Sequence, residues 1–410
     1  MNDSGIEWIG SIPDNWQIGR IGHLYTERKE KVSDTEYTPL SVTMKGVLPQ
    51  LSTAAKTDAH DDRKLVRKGD FAINSRSDRR GSCGISPCDG SVSLINTILT
   101  PRNEMNPGYY NWLFHSTMFS DEFYKWGHGI VDDLWTTNWQ DMKKISVPIP
   151  SQDEQERISN YLDTECARID AVMEQTRASI EEYKKLKQAV ITQAVTKGIR
   201  PNRAMKESGI NWIGLIPESW SIRPLKAFID VLPGYAFSSD DFHTDEGIPL
   251  LRGINVAPNE IRWNDVVFWN KPITDQIQQF LLKEHDLVVG LDRPWISDGT
   301  RVAFVEKKDL PCLLLQRVCR IRSNSMDIRY INYYIAGKAF EDALCTDTTG
   351  ISVPHISTKQ IQQFIVAVPP LDEQHEICDY LEEKRIAIDD LIKQKEKLLN
   401  ELEYYKKSVI

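Results

Sequence analysis

The stretch 153-DEQERISNYLDTECARIDAVMEQTRASIEEYKKLKQAVITQAVT-196 decides the architecture. It is charged, periodic and free of proline, with Pro148 and Pro150 just upstream and Gly198 and Pro201 just downstream, so it reads as one helix from Ser151 to about Thr196. Asp153, Glu154 and Glu156 place negative charge on the first turn, where it complements the helix dipole. Ile158, Leu162, Ile169, Val172, Tyr183, Leu186 and Val190 recur at four-three spacing, interrupted by Glu165, Thr176 and Ser179. That is an imperfect coiled-coil seam. About forty residues at 1.5 Å each make a rod of roughly 60 Å, too long for the inside of one ordinary domain. Such a helix connects two bodies and needs a partner helix.

The partner lies in the same chain. DEQERISNYL at 153–162 returns as DEQHEICDYL at 372–381, and KQAVI at 187–191 returns as KKSVI at 406–410, both at an offset of 219 residues. Ile377, Leu381, Ile388, Leu391, Leu398, Leu402, Tyr405 and Val409 continue the seam. A second repeat relates SGIEWIGSIPDNWQI at 4–18 to SGINWIGLIPESWSI at 208–222, at an offset of 204. The chain therefore reads as globule 1–150, long helix 151–199, globule 200–369 and long helix 370–410. One helix leads out of the first globule and the other leads back, so a pair formed by them is antiparallel. The expected fold class is α+β: two similar mixed α/β domains joined by two long helices forming an antiparallel coiled coil, with an internal pseudo-two-fold.

Length and composition fit two domains that each bury a core: 410 residues, 40% of them apolar and 27% charged. The opening MNDSGIEW lacks a basic-then-apolar signal, and the apolar runs at 287–291 and 364–368 are too short to span a bilayer, so no membrane role is expected. The seven cysteines show neither CxxC spacing nor histidines at zinc-ligand spacing, which points to reduced, buried thiols in a cytoplasm. A net charge of −9 argues at first sight against nucleic acid. Yet the two helical stretches carry 14 Lys/Arg against 20 Asp/Glu, so most of the acidity sits there and a basic face on each globule is permitted.

In the first globule, Trp8, Ile9, Ile12 and Trp16 form an apolar clasp around a turn at Pro13-Asp14, repeated by Trp212, Ile213, Ile216 and Trp220. The segment 73-INSRSDRRGSCG-84 leaves a strand and presents Ser75, Arg76, Ser77, Arg79 and Arg80 in a Gly-bounded loop. Such residues suit phosphate contacts and the bidentate bonding of guanine by arginine, although a solvated charged loop has the same composition. In the second globule PLLRGIN at 249–255, with Arg252 and Asn255, occupies the place of 39–44, and HDLVVG at 285–290 that of GDFAIN at 69–74. After the latter comes LDRPWISDGTR, with Arg293 and Trp295 where the first globule has its arginines. Arg317, Arg320 and Arg322 are expected along one face of the next strand, against phosphate or solvent.

No phosphate-binding Gly-rich loop, HExxH or methyltransferase motif occurs. Pro13-Asp14 followed by Glu27-Arg28-Lys29 superficially matches a metal-dependent nuclease signature, but the second copy has no matching triplet. No catalytic residue and no metal ligand is assigned to this chain.

Three sets of motifs carry a resemblance: GI(E/N)WIGxIPxxW opening each half, KGDFAIN and EHDLVVG within each globule, and VPIPSQDEQERI and VAVPPLDEQHEI introducing each long helix. Over essentially its whole length the chain resembles the specificity subunit of type I restriction-modification enzymes. The resemblance implies a non-catalytic subunit with two target-recognition domains that each read half of a split double-stranded DNA site. It also implies two modification subunits that methylate adenine with S-adenosylmethionine, and motor-nuclease restriction subunits using ATP and Mg²⁺. Those cofactors would sit in the partners and none in this chain. One departure is that Ile410 is the equivalent of Ile191, so 192–201 has no counterpart after the second helix. A protein whose coiled coil is itself the function, with globules binding protein or carbohydrate, is the second reading, and a metal-dependent nuclease the third.

The repeat makes the helices a ruler. One heptad inserted after Thr176 and another after Lys395 keeps the four-three phase and lengthens the rod by about 10 Å. At about 3.4 Å per base pair this is roughly three pairs, which also turns one half-site by about 100°. Methylation mapping on the variant complex is expected to show a longer spacer, reduced activity and unchanged half-site bases. An unchanged spacer in an active complex overturns the ruler.

Overall fold

The computed structural model describes residues 1–50, 62–102, 105–129, 135–297, 299–345 and 354–410; the side chains of Ser77 and Cys345 also lie outside the description. The chain divides into two compact units. One comprises 1–177 with 396–410, and the other 178–395. Both long helices, Gln152–Lys197 and Leu371–Val409, run through both units.

Each unit holds a domain built to one plan. In the first, a four-stranded antiparallel sheet is ordered Cys83–Ile85, Phe71–Asn74, Asn96–Pro101, Tyr25–Arg28. In the second the equivalent order is Val302–Phe304, Leu287–Gly290, Val318–Ser323, Ile229–Pro233. The central strands are apolar on both faces because helices cover one side and a smaller sheet the other. Pro107–His115 and Thr117–Lys125 supply the first helical cover, with Phe114 4.8 Å from Phe71 between ring centroids. Ile328–Ile335 and Lys338–Cys345 supply the second. A two-stranded pair then delivers the chain to each long helix: Gln17–Arg20 with Ser146–Ile149, and Ser221–Pro224 with Ile365–Val368.

The repeated Asp-Glu-Gln explains itself at these entrances. Gln155 and Gln374 are buried, although glutamine is costly to bury unless every polar atom is matched. Gln155 donates to the Pro150 carbonyl (2.9 Å) and accepts from the Asn106 amide (3.2 Å). Gln374 donates to the Pro369 carbonyl (2.9 Å) and accepts from the Asp327 amide (2.9 Å). Asn106 and Asp327 are in turn the N-caps of the first covering helix of each domain. One side chain thus fixes each long helix to the domain before it. The preceding glutamates differ. Glu373 is buried and takes Arg203 and the Trp220 indole (3.1 Å), whereas Glu154 is met by Asn15 (3.4 Å) and the Trp16 indole N–H is shielded without a partner.

Within each unit the two helices run antiparallel. Asp170 pairs with Lys406 (2.7 Å) and Arg177 with Glu403 (3.7 Å) in the first unit. In the second, the Lys395 ammonium lies over the Tyr183 ring, Lys187 pairs with Asp389 (2.6 Å), and Arg200 with Glu376 (2.7 Å). Numbers rise on one helix as they fall on the other. The offset of 219 converts Lys187–Asp389 into Lys406–Asp170, so the repeat reproduces the pairing residue for residue.

The seam itself is displaced from its expected course. Leu162, Cys166, Ile169, Met173, Thr176 and Ile180 are buried at strict four-three spacing, continued by half-buried Tyr183, Lys187 and Val190. On the second helix Cys378, Leu381 and Ile388 are buried, and Ile392, Leu399, Leu402 and Val409 half-buried. The expected members Leu162, Ile169, Tyr183, Val190, Leu381, Ile388 and Leu402 lie on it. Val172, Leu186, Leu391, Leu398 and Tyr405 do not: they are exposed, one residue off and therefore rotated by about 100°. Ile158 and Ile377 pack instead on the domain cores. Counting Cys166 and Met173 as apolar would have recovered the phase, with Thr176 satisfied by the Val172 carbonyl (2.7 Å).

Burial pushes the Cys312 and Cys319 thiols up to about 12, and Cys83 and Cys378 also upward, so these sulfurs stay protonated and inert. Cys88, expected buried, is exposed. Among the described residues no helix is long and apolar enough to cross a membrane.

Replacing Gln374 by Leu strands a buried carbonyl and a buried amide, which costs about 1–3 kcal/mol for each group. Calorimetry on the purified complex is expected to show an earlier transition with the DNA sequence preference intact. An unchanged transition would remove the glutamine from this role.

Candidate nucleic-acid interface

Both candidate loops leave the second strand of the large sheet at the same place. A buried aspartate sets each strand up. Asp70 accepts from Arg28 (2.7 Å), Thr100 (2.9 Å) and the Arg67 amide (2.9 Å), and Asp286 from Arg322 (2.6 Å) and the Lys283 amide (2.8 Å). These are the aspartates of GDFAIN and HDLVVG. Beyond the strand, each loop is held by the segment leading to the next short helix. The Thr137 amide donates to the Ser75 carbonyl (3.0 Å), and the Ile356 amide to the Leu291 carbonyl (2.9 Å). Arg76 pairs with Thr136, and Asp292 with His355. The two loops are equivalent in position and different in residues.

In the first domain Arg76 and Arg79 are exposed, and the only ion pair of Arg79 among the described residues is with adjacent Asp78 (3.5 Å). Arg80 is tied down: it bonds Asp121 (2.9 Å) and stacks 3.8 Å above the Tyr124 ring. Ser75, expected to face DNA, is buried against the Thr97 hydroxyl (3.0 Å) and supports the loop. Ser77 begins the helical turn Ser77–Arg79.

In the second domain Arg293 and Arg317 are exposed and both hold a left-handed backbone, φ 46° and 70°. Neither is glycine, so surrounding bonds must over-determine the conformation. The Arg293 amide donates to the Pro354 carbonyl (2.8 Å), and the Arg317 carbonyl accepts from the Leu291 amide (2.9 Å). Asp292 bonds His355 (2.6 Å) and faces Arg317 (3.5 Å). Arg252 is half-buried and donates to the Asp265 carbonyl. Asn255, expected to touch DNA, is fully buried, with its amide spent on the Arg262 (3.0 Å) and Asn264 (2.8 Å) carbonyls; it is a structural residue. Trp295 is half-buried in a short hairpin with its indole N–H shielded.

The expected arginine face does not form. Arg320 is buried on Asp230 and Arg322 neutralises Asp286, so only Arg317 of the three remains exposed, facing Asp292. Sequence reasoning missed Arg301. Its guanidinium donates to the Gly253 (2.8 Å) and Val256 (3.1 Å) carbonyls and to that of Arg293 (3.1 Å), joining two loops. Nothing local in the sequence announces this. In the nuclease-like signature Asp14 pairs with the Met1 amine (2.9 Å), and among the described residues no three His, Cys, Asp or Glu side chains converge as metal ligands.

A family described as the type I restriction modification DNA specificity domain matches residues 217–404. The MjaVIII specificity subunit of Methanocaldococcus jannaschii is 26% identical across 97% of this chain and 92% of its own length. The EcoAI specificity subunit of Escherichia coli is 35% identical over 41% of this chain and 28% of its own. Over nearly its whole length the chain is similar to type I restriction specificity subunits, and residues 217–404 match that family's domain. Two solved folds agree: a chain from a type I R-M system, described for its complex assembly and conformational transition (TM-score 0.73, 15% identity, 97% of both chains), and the HsdS subunit from Thermoanaerobacter tengcongensis (TM-score 0.54, 17% identity, 100% of this chain and 98% of that one).

If the two loops read DNA, each domain is expected to respond separately to mutation. Arg76→Ala with Arg79→Ala relaxes one half-site, and Arg293→Ala with Arg317→Ala the other, at about 1–3 kcal/mol per lost base contact. Methylation mapping of each double variant checks this, and equal loss at both half-sites overturns the assignment.

Proposed function

We propose that this specificity subunit reads a split double-stranded site, one half-site per domain, and carries two modification subunits on its helices. The chain is a DNA-recognition component and not itself an enzyme. The observation that carries the detail is duplication with divergence: two domains share a fold and a loop position, while that loop exposes Arg76, Arg79 and the ion-paired Arg80 in one and Arg293 in the other, with exposed Arg317 nearby. Equivalent domains with different contacts read different bases.

The helices support the stoichiometry. Beside Asp170–Lys406 the first unit leaves Val172 (39% exposed) and Tyr405 (44%) uncovered. Beside Lys187–Asp389 the second leaves the repeat equivalents Leu391 (39%) and Leu186 (48%). Large apolar side chains flanking a helix pair suit further helices that complete the bundle. Two equivalent patches suit two modification subunits. In this reading S-adenosylmethionine is held by them, ATP and Mg²⁺ by restriction subunits, and the assembly works in the cytoplasm with its thiols reduced.

Sequencing methylated adenines in DNA from cells making this chain with its partners tests the reading, which requires one bipartite motif set by this chain. For the docking surface, Leu186→Asp with Leu391→Asp is expected to abolish co-purification with a modification subunit at that unit while circular dichroism stays unchanged. Survival of a full complex places docking elsewhere.

A further inference from the structure

Outside the helices and the chain start, two of the most exposed large apolar side chains occupy matching positions. Met44 is 72% exposed and Ile254 56%. They end the equivalent segments 39-PLSVTM-44 and 249-PLLRGI-254. The intervening residues have diverged, yet both copies put a large apolar side chain in water at this position.

Ile254 is not on a loose loop. The turn Gly253–Asn255 is clamped from within, with the Asn255 amide donating to the Arg252 carbonyl (3.0 Å) and the Arg252 amide to the Asn255 side chain (3.1 Å). Asn255 then ties it to 262–264, and Arg301 holds the Gly253 and Val256 carbonyls. The same Arg301 guanidinium holds the Arg293 carbonyl, and a Cβ on Gly253 would stand 3.7 Å from the Arg317 carbonyl. So Ile254 stands beside the backbones of two exposed arginines, Arg293 and Arg317. Met44 sits on the hairpin Leu40–Thr43/Gly46–Pro49, whose Gly46 Cα lies 2.7 Å from the place a Cβ on Gly84 would take. Gly84 belongs to the strand that follows the Arg76–Arg80 loop.

A rigid turn that holds an isoleucine in solvent between arginines gains nothing for folding. It suits a surface that meets base edges in the major groove, where arginine reads guanine and an apolar group reads the thymine methyl. We infer that Ile254, and Met44 in the other domain, are specificity-determining residues that each contact a thymine 5-methyl group in their half-site. Arg301 is the positioning residue that keeps Ile254 in fixed relation to Arg293. This inference rests on the DNA-reading function proposed above.

The test replaces each thymine of the mapped half-sites by uracil, one at a time, and measures binding by the intact complex. One position in the second domain's half-site is expected to lose about fourfold, what burying one methyl group is worth. Ile254→Ala weakens binding to thymine DNA and makes thymine and uracil equivalent at that position, leaving the other half-site untouched. Met44→Ala does the same in the other half-site. Arg301→Lys weakens the thymine preference while leaving Ile254 in place. A half-site without an A·T pair, uracil tolerated throughout, or thymine preference surviving Ile254→Ala overturns the inference with sequence-specific binding intact. DNA bending lost in Ile254→Ala with uracil tolerated identifies a wedge between base pairs instead. Absence of sequence-specific binding in the unmodified complex overturns the function proposal along with it.

Discussion

A helix apolar along one narrow stripe cannot stay folded alone in water, and these two helices, 46 and 39 residues long, have only such stripes. Each must therefore find the other, and the seam is too polar to leave the choice of alignment free. Lys187 and Lys406 stand on the seam, where an unpaired ammonium is costly, and each meets one aspartate of the opposite helix. A slip by one heptad exchanges both aspartates at once, for Glu396 and Arg177 in one direction and for Glu382 and Asp163 in the other, so the two pairs mark one alignment and penalise a slip in one direction. The charged seam residues thus weaken the pair as a zipper.

The second requirement is that helix and domain move together, and it is met with few groups. Gln155 and Gln374 join each helix entrance to a strand end and to a covering-helix cap. At the other end of the first helix, Tyr334 and Tyr330 donate to the Val195 carbonyl (2.6 and 3.0 Å), binding it to the second domain's core. The buried aspartates do the corresponding work inside the domain. Asp70 and Asp286 are retained, but their arginines come from different strands, Arg28 from Tyr25–Arg28 and Arg322 from Val318–Ser323. A buried carboxylate needs a cation and does not care which strand supplies it.

The repeats made the architecture legible, because two copies of one pattern filter out chance matches. Helix ends fell within about a residue or two of expectation since proline and glycine write them directly. The seam phase did not, because Leu186, Leu391 and Tyr405 look better as core residues than Cys166, Met173 and Thr176, and only the partner helix decides between phases 100° apart. At the candidate interface the exposure of Arg76, Arg79 and Arg293 was legible from loop position, whereas Arg317, expected on a strand face with Arg320 and Arg322, lies just before that strand. Ser75, Asn255, Arg320 and Arg322 were misread because a polar residue bonded inside a turn and one bonded to DNA have the same one-letter code. Distinguishing them takes the long-range partners, such as Thr97 for Ser75 and Asp286 for Arg322, which no local window contains.

What was misread also shows how the two functions are separated in the molecule. The bonds that keep the loops in place are made by buried or half-buried groups: Ser75, Asn255, Arg301, Asp70 and Asp286. The groups left facing solvent on the two loops differ between the domains. A change at Arg79 or Arg293 therefore alters a surface without removing a fold contact on which the sheet depends, while a change at Asp286 leaves the half-buried Arg322 guanidinium and the Lys283 amide without their acceptor. Exposed loop residues can vary widely on such a scaffold because their replacement is nearly free for folding, whereas the residues beneath them cannot. This difference in cost lets one domain plan, used twice in a chain, carry two unlike surfaces.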